Sequence, residues 1–483
     1  MTPRKALVAV DLGAQSCRVS LLRWTNGSPE IRVVHRFSNA PVSSNKALHW
    51  DIARIFAGVE AGLRLGAELA TEGIASVGID GWAVDYVRLG RDGKRIGDPF
   101  CYRDERTTRA MREVFELIPA DRLYQLTGIQ IISLNSLFQL YADKIAGVDG
   151  HTQWLNLPEY ITHLLGGRIV AEYTNATHTQ LVALGEQKWC GEIFRALGFA
   201  VSAAPEIVGT GTSVGAVTGD LGRLPALRDT QLIVPACHDT ASAIAAIPAA
   251  GDDWAFISSG TWSLVGSVLR RPCVNDEARK MNFTNLGGVG GTICFLKNVN
   301  GMWLLRQCME EWAKVGQVWT IEELLGECKK LSRPSFLIDV DDPQLLVPGD
   351  LPARINTQLV EAGRKSLPAN RTGVPQMANL IFHSLARRYA EVLDAVAETT
   401  GKNLKRLFIV GGGAKNEFLN HLTAERTGLE VHCGSSEAST VGNFAVQLAA
   451  LNRGENRSGG VSAREAARFA ESLSTVPFSG FME

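Results

Sequence analysis

The sequence predicts an α/β protein built from two similar domains of about equal length. Apolar β-like runs alternate along it with longer stretches of helical period. A strand–turn–strand design at residues 6 to 22 comes back at residues 253 to 269. The 483 residues, 45% hydrophobic and 20% charged, also supply ample material for a buried core and roughly two to four domains.

The first strand is expected at Ala6 to Val10. It follows a basic start, MTPRK, and Asp11 interrupts its apolar run before it reaches the length of a signal-peptide core. Further strands are expected at Ile74 to Ile79, Leu232 to Pro235, Trp254 to Ile257 and Leu407 to Val410. Helices are expected at Asp51 to Ala70, Gln376 to Thr400 and Ala438 to Leu451, the second carrying Ile381, Leu385, Tyr389, Val392 and Val396 on one stripe. The halves of the repeat, ALVAVDLGAQSCRVSLL and DWAFISSGTWSLVGSVL, each close on a turn of small residues. Gly13 and Ser16 lie in one turn, and Ser258, Ser259, Gly260 and Thr261 in the other. Such turns leave backbone N–H groups free to face an anion, although many glycine turns after strands are only turns. The domain junction is expected within Ile247 to Trp254, IPAAGDDW, which gives domains 1–248 and 249–483.

Lys plus Arg total 49 against 50 for Asp plus Glu, a balance with no field to hold a nucleic-acid backbone or an anionic membrane surface. The most apolar later window, Leu232 to Ala250, contains Pro235, His238, Asp239 and Pro248, so no membrane span is expected. Small-molecule partners are expected instead. Cys17, Cys101, Cys190, Cys237, Cys273, Cys294, Cys308, Cys328 and Cys433 form no Cys-x-x-Cys pair. Their odd number argues against a disulfide framework and for a reducing, cytoplasmic compartment. The histidines form no His-x-x-x-His pair, so a histidine-built metal site is not expected.

The phosphate-gripping motif Gly-x-x-x-x-Gly-Lys-Ser/Thr is missing from the sequence. Two opposed hairpin turns, one from each domain, can clamp a triphosphate between their amides instead, with Asp11 anchoring Mg²⁺ through water. In LFIVGGGAKN, Leu407 to Asn416, a strand ends in Gly411, Gly412 and Gly413. That pattern reads as an adenine or ribose pocket or as a crowded strand-to-helix turn, and it lacks dinucleotide-binding spacing. In VPACHDTAS, Val234 to Ser242, a strand delivers His238 and Asp239 to an alanine-rich helix. Asp239 there is either a helix N-cap or the carboxylate that accepts a hydroxyl proton during phosphoryl transfer. The match GTSVG, Gly211 to Gly215, has no helix after it and is expected to be a loop, not a nucleophile elbow. Finally, Ser76 to Thr107 mixes aromatic and charged residues as sugar-binding surfaces do. Trp82 can stack on an apolar sugar face, while Asp80, Asp85, Arg103, Asp104 and Arg106 can bond hydroxyls or support groups that do.

Taken together, VAVDLGAQSCRV, SVGIDGWAVDYV, YRDERT, LTGIQIISLNSLFQL, EYTNATHTQLV, HDTASA, SSGTWSLVG, LKNVNGMWLL, IVGGGAKN and EASTVGN resemble the FGGY family of carbohydrate kinases, of the actin-like ATPase superfamily. The resemblance runs nearly end to end, and the tryptophan-rich and EYTNAT segments are most like the family's L-rhamnulose branch. It implies two ribonuclease-H-like domains with an interdomain active-site cleft, ATP and Mg²⁺ as cofactors, and phosphorylation of O1 of a ketose. L-Rhamnulose comes first as substrate, with L-fuculose or a pentulose such as xylulose or ribulose behind it. Asp239 would be the proton acceptor, and His238, Thr240 and Asn298 would lie at the sugar beside Asp80, Trp82 and Ala83. Asp11 would serve magnesium. Ala14, Gln15, Ser16, Cys17, Arg18, Thr261, Arg306 and Gly412 would contact ATP, together with the turn residues Gly13, Gly260, Gly413 and Asn416. Four positions depart from the family pattern. Cys17 stands for a glycine and offers a redox-sensitive thiol, Ala83 for a glycine, Gly81 for a threonine and Arg306 for a glutamine. A monomer or homodimer is expected. A nucleotide-driven conformational switch shares the two-hairpin clamp but does not need HDT or the segment from 76 to 107, and a non-catalytic sugar sensor should have lost the acid.

Overall fold

A computed structural model describes residues 4–45, 47–347, 349–453, 460–473 and 479–481. The chain divides into two compact units, and the division is interleaved. Unit 1 comprises Met1–Ala249, Val268–Phe295 and Ala438–Thr475, and unit 2 comprises Ala250–Ser267, Leu296–Glu437 and Val476–Glu483. The first crossing, from Ala249 to Ala250, falls within IPAAGDDW.

Unit 1 is organised on a six-stranded sheet. Ala6–Leu12, Ser16–Thr25 and Ser28–Ser38 form an antiparallel meander. On the other side of Ala6–Leu12, Ile74–Gly81 and then Gln231–Ile233 add in parallel. The first strand is buried along its whole length, which is why it reads as an unbroken apolar run and not as an alternating one. Helix Ile52–Leu69 is started by Asp51, whose carboxylate accepts the Arg54 amide at 3.0 Å, and it buries Ile52, Ile55, Val59 and Leu63. GTSVG departs from expectation: Ser213–Ala216 is a short edge strand, antiparallel to Gln231–Ile233, with only Val214 turned inward. One buried residue among glycines gives no period to detect. The helix Ala438–Arg453, from the far end of the sequence, also belongs here and packs against Ala6–Leu12 and Ile74–Gly81.

Unit 2 repeats the plan. Trp254–Ser259 and Trp262–Leu269 form the hairpin, Arg406–Val410 pairs with the first strand in parallel, Glu430–Cys433 adds in parallel, and Ser479–Phe481 closes the edge antiparallel. Ile293–Asn300 flanks Trp262–Leu269, as Ser28–Ser38 flanks its hairpin in unit 1. The duplication seen in two hairpins thus extends through the order of the neighbouring strands and, on the side of Arg406–Val410, through their direction as well. The helix Gly373–Thr400 buries the stripe through Ile381, Leu385, Tyr389, Val392 and Val396. No helix among the described residues is long and apolar enough to cross a membrane.

Candidate active site

Parallel strands bring their carboxyl ends to one edge, and in unit 1 that edge collects the acids. Asp11 and Asp80 are direct partners across Ala6–Leu12 and Ile74–Gly81, and Gly81 bridges to His238 on the neighbouring segment. Asp11 is buried, and Oδ2 takes bonds from Arg18 Nη2 at 2.7 Å, Arg18 Nε at 3.0 Å and the Ser439 hydroxyl. Asp80 is fully buried. Asn443 donates to its Oδ2 at 2.6 Å, while its Oδ1 has no partner among the described residues. Burial, then the charge of Asp11, holds the Asp80 carboxyl well above the usual range.

Asp239 is the first residue of helix Asp239–Ala245. The cap position falls to His238, which makes no side-chain capping bond, so the simple N-cap reading of Asp239 does not hold. Its Oδ1 accepts from the Thr240 hydroxyl at 3.2 Å and lies 3.3 Å from His238 Nε2. Loss of hydration and then the charge of Asp11 push its pKa up to about 7, even with 36% of the side chain exposed. Thr240 and His238 are both buried. His238 in turn meets His178, with Nδ1 and Nε2 3.0 Å apart.

A buried carboxylate frames this pair. Glu172 Oε2 accepts from Thr174 N, Thr174 Oγ1 and Cys237 N at 3.0, 2.5 and 3.0 Å, and Oε1 accepts from Thr210 Oγ1 at 2.7 Å. EYTNAT is therefore tied directly to Cys237, the residue before HDT.

The segment from 76 to 107 is more internal than its composition suggests. Trp82 and Ala83 are nearly enclosed, and Trp82 Nε1 donates at 3.0 Å to Asp85, which also accepts from Trp50 Nε1 at 2.6 Å, Tyr102 N at 3.2 Å and Gln139 Nε2 at 3.1 Å. Burial raises the Asp85 pKa to about 6. Asp104 accepts the amides of Leu48 and Arg106 at 2.8 and 3.0 Å, Arg106 bonds Asp143 at 2.5 Å and covers the Phe100 ring, and Arg103 lies over Tyr102. Asp85, Asp104 and Arg106 therefore brace the segment. Val84 has φ of 70°, a left-handed conformation costly for a β-branched residue, and its carbonyl is held by Ser136 Oγ at 2.6 Å and Gln139 Nε2 at 3.2 Å. The departure at Gly81 has a local cause: a Cβ there would lie 2.7 Å from Leu12 Cβ and 2.9 Å from the Leu12 carbonyl.

The first hairpin turn, Gly13 to Arg18, starts beside Asp11, and its Gly13 carbonyl accepts from Asn39 Nδ2 at 3.0 Å. Ala14, Gln15 and Ser16 are half-buried. Cys17 does not present the redox-sensitive thiol expected. Strand alternation sends it fully into the core, and burial pushes its pKa up to about 12, far from thiolate reactivity.

In unit 2 the second hairpin turn lies beside the three glycines. A Cβ on Gly413 would sit 2.0 Å from Ser259 Oγ and one on Gly411 2.8 Å from the Ser259 carbonyl, whereas Gly412 has nothing within 4 Å. Gly412 is thus the one of the three with room for a ligand. The Gly260 and Thr261 carbonyls accept the amides of Met302 and Trp303 at 3.2 and 3.3 Å, which places the start of helix Trp303–Lys314 at the same turn. The amides are less free than expected, since Gly260 N donates to the Trp262 carbonyl at 2.8 Å. Asn416 caps helix Glu417–Thr427 through Leu419 N at 3.1 Å. Arg306 is exposed and pairs with Glu310 at 3.2 Å, and Asn298 is half-buried on Ile293–Asn300.

Ser439, Asn443 and His178 carried no assignment in the sequence reading. All three lie inside quoted motifs, EASTVGN and EYTNATHTQLV, but their partners are 60 to 428 residues away, so no local spacing marks them.

Two sheets of one repeated plan, each with a hairpin turn at the carboxyl edge, define an actin-like ATPase architecture. Solved structures agree: xylulose kinase from Lactobacillus acidophilus aligns with a TM-score of 0.75 at 16% identity, covering 97% of this chain and 96% of that one. Glycerol kinase of Plasmodium falciparum, with ADP, aligns with a TM-score of 0.71 at 13% identity over 98% of this chain and 93% of that one. At such identities the likeness concerns the fold. In sequence, residues 6–246 match the N-terminal domain and residues 255–451 the C-terminal domain of the FGGY family of carbohydrate kinases. A rhamnulokinase of Bacteroides thetaiotaomicron is 36% identical over 442 residues, 91% of this chain and 89% of that protein. One of an Enterobacter species is 38% identical over 455 residues, 92% and 89% respectively. The chain belongs to the FGGY family of carbohydrate kinases, and it is a sugar kinase using ATP with Mg²⁺.

The acids fit the metal. The charge of Asp11 disfavours ionisation of Asp80 and Asp239, and a divalent cation beside Asp11 would relieve that repulsion. Mg²⁺ keeps much of its water and takes phosphate oxygens, so a single carboxylate such as Asp11 can serve it.

Proposed function

We propose that this carbohydrate kinase transfers the γ-phosphate of ATP to O1 of L-rhamnulose, with Asp239 as the general base. The observation that carries the role of Asp239 is a partly open carboxylate lying 3.3 Å from His238 Nε2 and 3.2 Å from the Thr240 hydroxyl, whose pKa burial and the charge of Asp11 push up to about 7. A base whose pKa lies near the working pH is both ionised often enough and basic enough. Asp239 takes the O1 proton as the bond from O1 to phosphorus forms and ADP leaves. Mg²⁺, when bound, spreads the charge of the β- and γ-phosphates.

The choice of L-rhamnulose is supported by rhamnulokinases at 36% and 38% identity over most of the chain. His238, Thr240, Asn298, Asp80, Trp82 and Ala83 are the proposed sugar residues, and Asp11 the proposed magnesium residue. Gly13 to Arg18, Gly260, Thr261, Arg306, Gly412, Gly413 and Asn416 are the proposed ATP residues. The reading also takes 1–248 and 249–483 as functional halves of a cytoplasmic monomer or homodimer. Purified enzyme with Mg·ATP is to be assayed for ADP release with L-rhamnulose, L-fuculose, xylulose and ribulose. Preference for any of the last three would move the assignment to an L-fuculokinase or pentulokinase. Asp239→Asn is expected to lower turnover at least about 100-fold while sparing nucleotide binding.

A further inference from the structure

We infer that His178 is a positioning residue for the base: it donates from Nε2 to Nδ1 of His238, and so fixes His238 in the tautomer that turns Nε2–H toward the Asp239 carboxylate. The inference rests on reading Asp239 as the base. The two rings are close, with centroids 3.9 Å apart and planes tilted by 53°, and Nε2 of His178 lies 3.0 Å from Nδ1 of His238. On the far side of His238, Nε2 is 3.3 Å from Asp239 Oδ1.

Chemistry sets the direction of the chain. Burial keeps both rings neutral, His238 with its pKa pressed down to about 3 and His178 well below its ordinary value. A neutral imidazole carries one N–H and one lone pair. A lone pair aimed at an ionised carboxylate is repelled, so with Asp239 Oδ1 3.3 Å away His238 is more stable carrying its hydrogen on Nε2, which leaves a lone pair on Nδ1. The contact with His178 is then attractive only if His178 donates. The opposite chain would aim a lone pair at the carboxylate and favour its protonated form.

The fold holds the pair in place. His178 ends helix Tyr173–His178, whose Thr174 bonds Glu172 Oε2 through N and Oγ1, and the same oxygen accepts Cys237 N. His238 N donates to Thr174 Oγ1 at 3.3 Å, so the backbones of both histidines share one anchor. The other charged groups acting on Asp239 are Asp11 and Arg18 of the first hairpin, and Asp239 in turn acts on Asp80 of Ile74–Gly81. None of these passes through His178.

The test measures kcat/KM for ketose phosphorylation from about pH 5.5 to 9 with full-length enzyme and Mg·ATP. His178→Phe is expected to move the acid limb up by about one pH unit and to cost about fivefold at pH 7. His178→Gln, whose amide can still donate to Nδ1, is expected to stay within about twofold of the parent. An unmoved limb in His178→Phe, or equal effects of Phe and Gln, overturns the inference. Nitrogen-15 NMR of the His238 ring in the unaltered enzyme needs no variant to fold: the Nε2–H tautomer is expected, and Nδ1–H refutes the chain. If Asp239→Asn keeps near-normal turnover, the base reading itself fails. If that variant is inactive while the limb of His178→Phe stays put, only the present inference fails.

Discussion

Asp239 stands between opposing influences. Dehydration and Asp11 press toward the neutral acid, while Thr240 and Arg18 favour the carboxylate. Activity should therefore climb as the pH rises through about 7 and flatten above it, and a flat kcat/KM profile between pH 6 and 8 would remove this carboxylate from the proton step. Glu159 gives a second, purely structural titration. It is buried, its Oε1 accepts Glu172 N at 3.1 Å and its Oε2 takes Asn175 Nδ2 at 2.9 Å, and its pKa is raised to about 8, chiefly by burial. Asn175 Oδ1 has no partner among the described residues, and turning the amide over would let it accept the proton of a neutral Glu159. A carboxyl raised in the folded state lends stability that is whole below its ordinary pKa of 4.5 and is lost as the pH climbs through about 8. Thermal melts of the parent should thus fall from pH 6 to pH 9, and Glu159→Gln should flatten that decline. These settings were not legible in the sequence, because a pKa depends on neighbours brought from far along the chain.

At the scale of elements, close approach is the recurring device. Helix Ala438–Arg453 carries Ser439 and Asn443 to the acids, and it comes so near helix Asp239–Ala245 that a Cβ on Gly442 would lie 1.8 Å from the Ser242 carbonyl. Gly442→Ala should cost about 1–3 kcal/mol by forcing these helices apart, and turnover should fall with the melting temperature because Asp239 begins one of them. The three glycines of unit 2 offer a sharper contrast. Gly413→Ala must displace Ser259, so it should lower thermal stability, whereas Gly412→Ala faces open space and should fold normally while raising KM for ATP. Equal melting temperatures for the two would contradict the packing, and an unchanged KM for Gly412→Ala would remove that residue from the nucleotide site. Elements such as Ile74–Gly81 and Gly373–Thr400 were readable, since they carry long, clear patterns. The edge strand Ser213–Ala216 was not, because one inward side chain sets no period.

Across the whole molecule, ligand linkage is the accessible measurement. A nucleotide that binds only the folded chain should add about 2.7 kcal/mol of stability at a hundred times its Kd, so Mg·ATP should raise the melting temperature, and EDTA should abolish turnover. The sequence by itself determined the alternation of strands and helices, the duplicated hairpin and the kinase family, because these reside in local periodicity and in contiguous motifs. Tertiary structure alone decided that Asp239 is no helix cap, that Cys17 points into the core, that Asp85 and Arg106 are braces, and that His178 meets His238. The physical reason is common to all four: each depends on which side of an element a residue faces and what distant segment lies opposite. Only the closing of long loops between segments supplies that information.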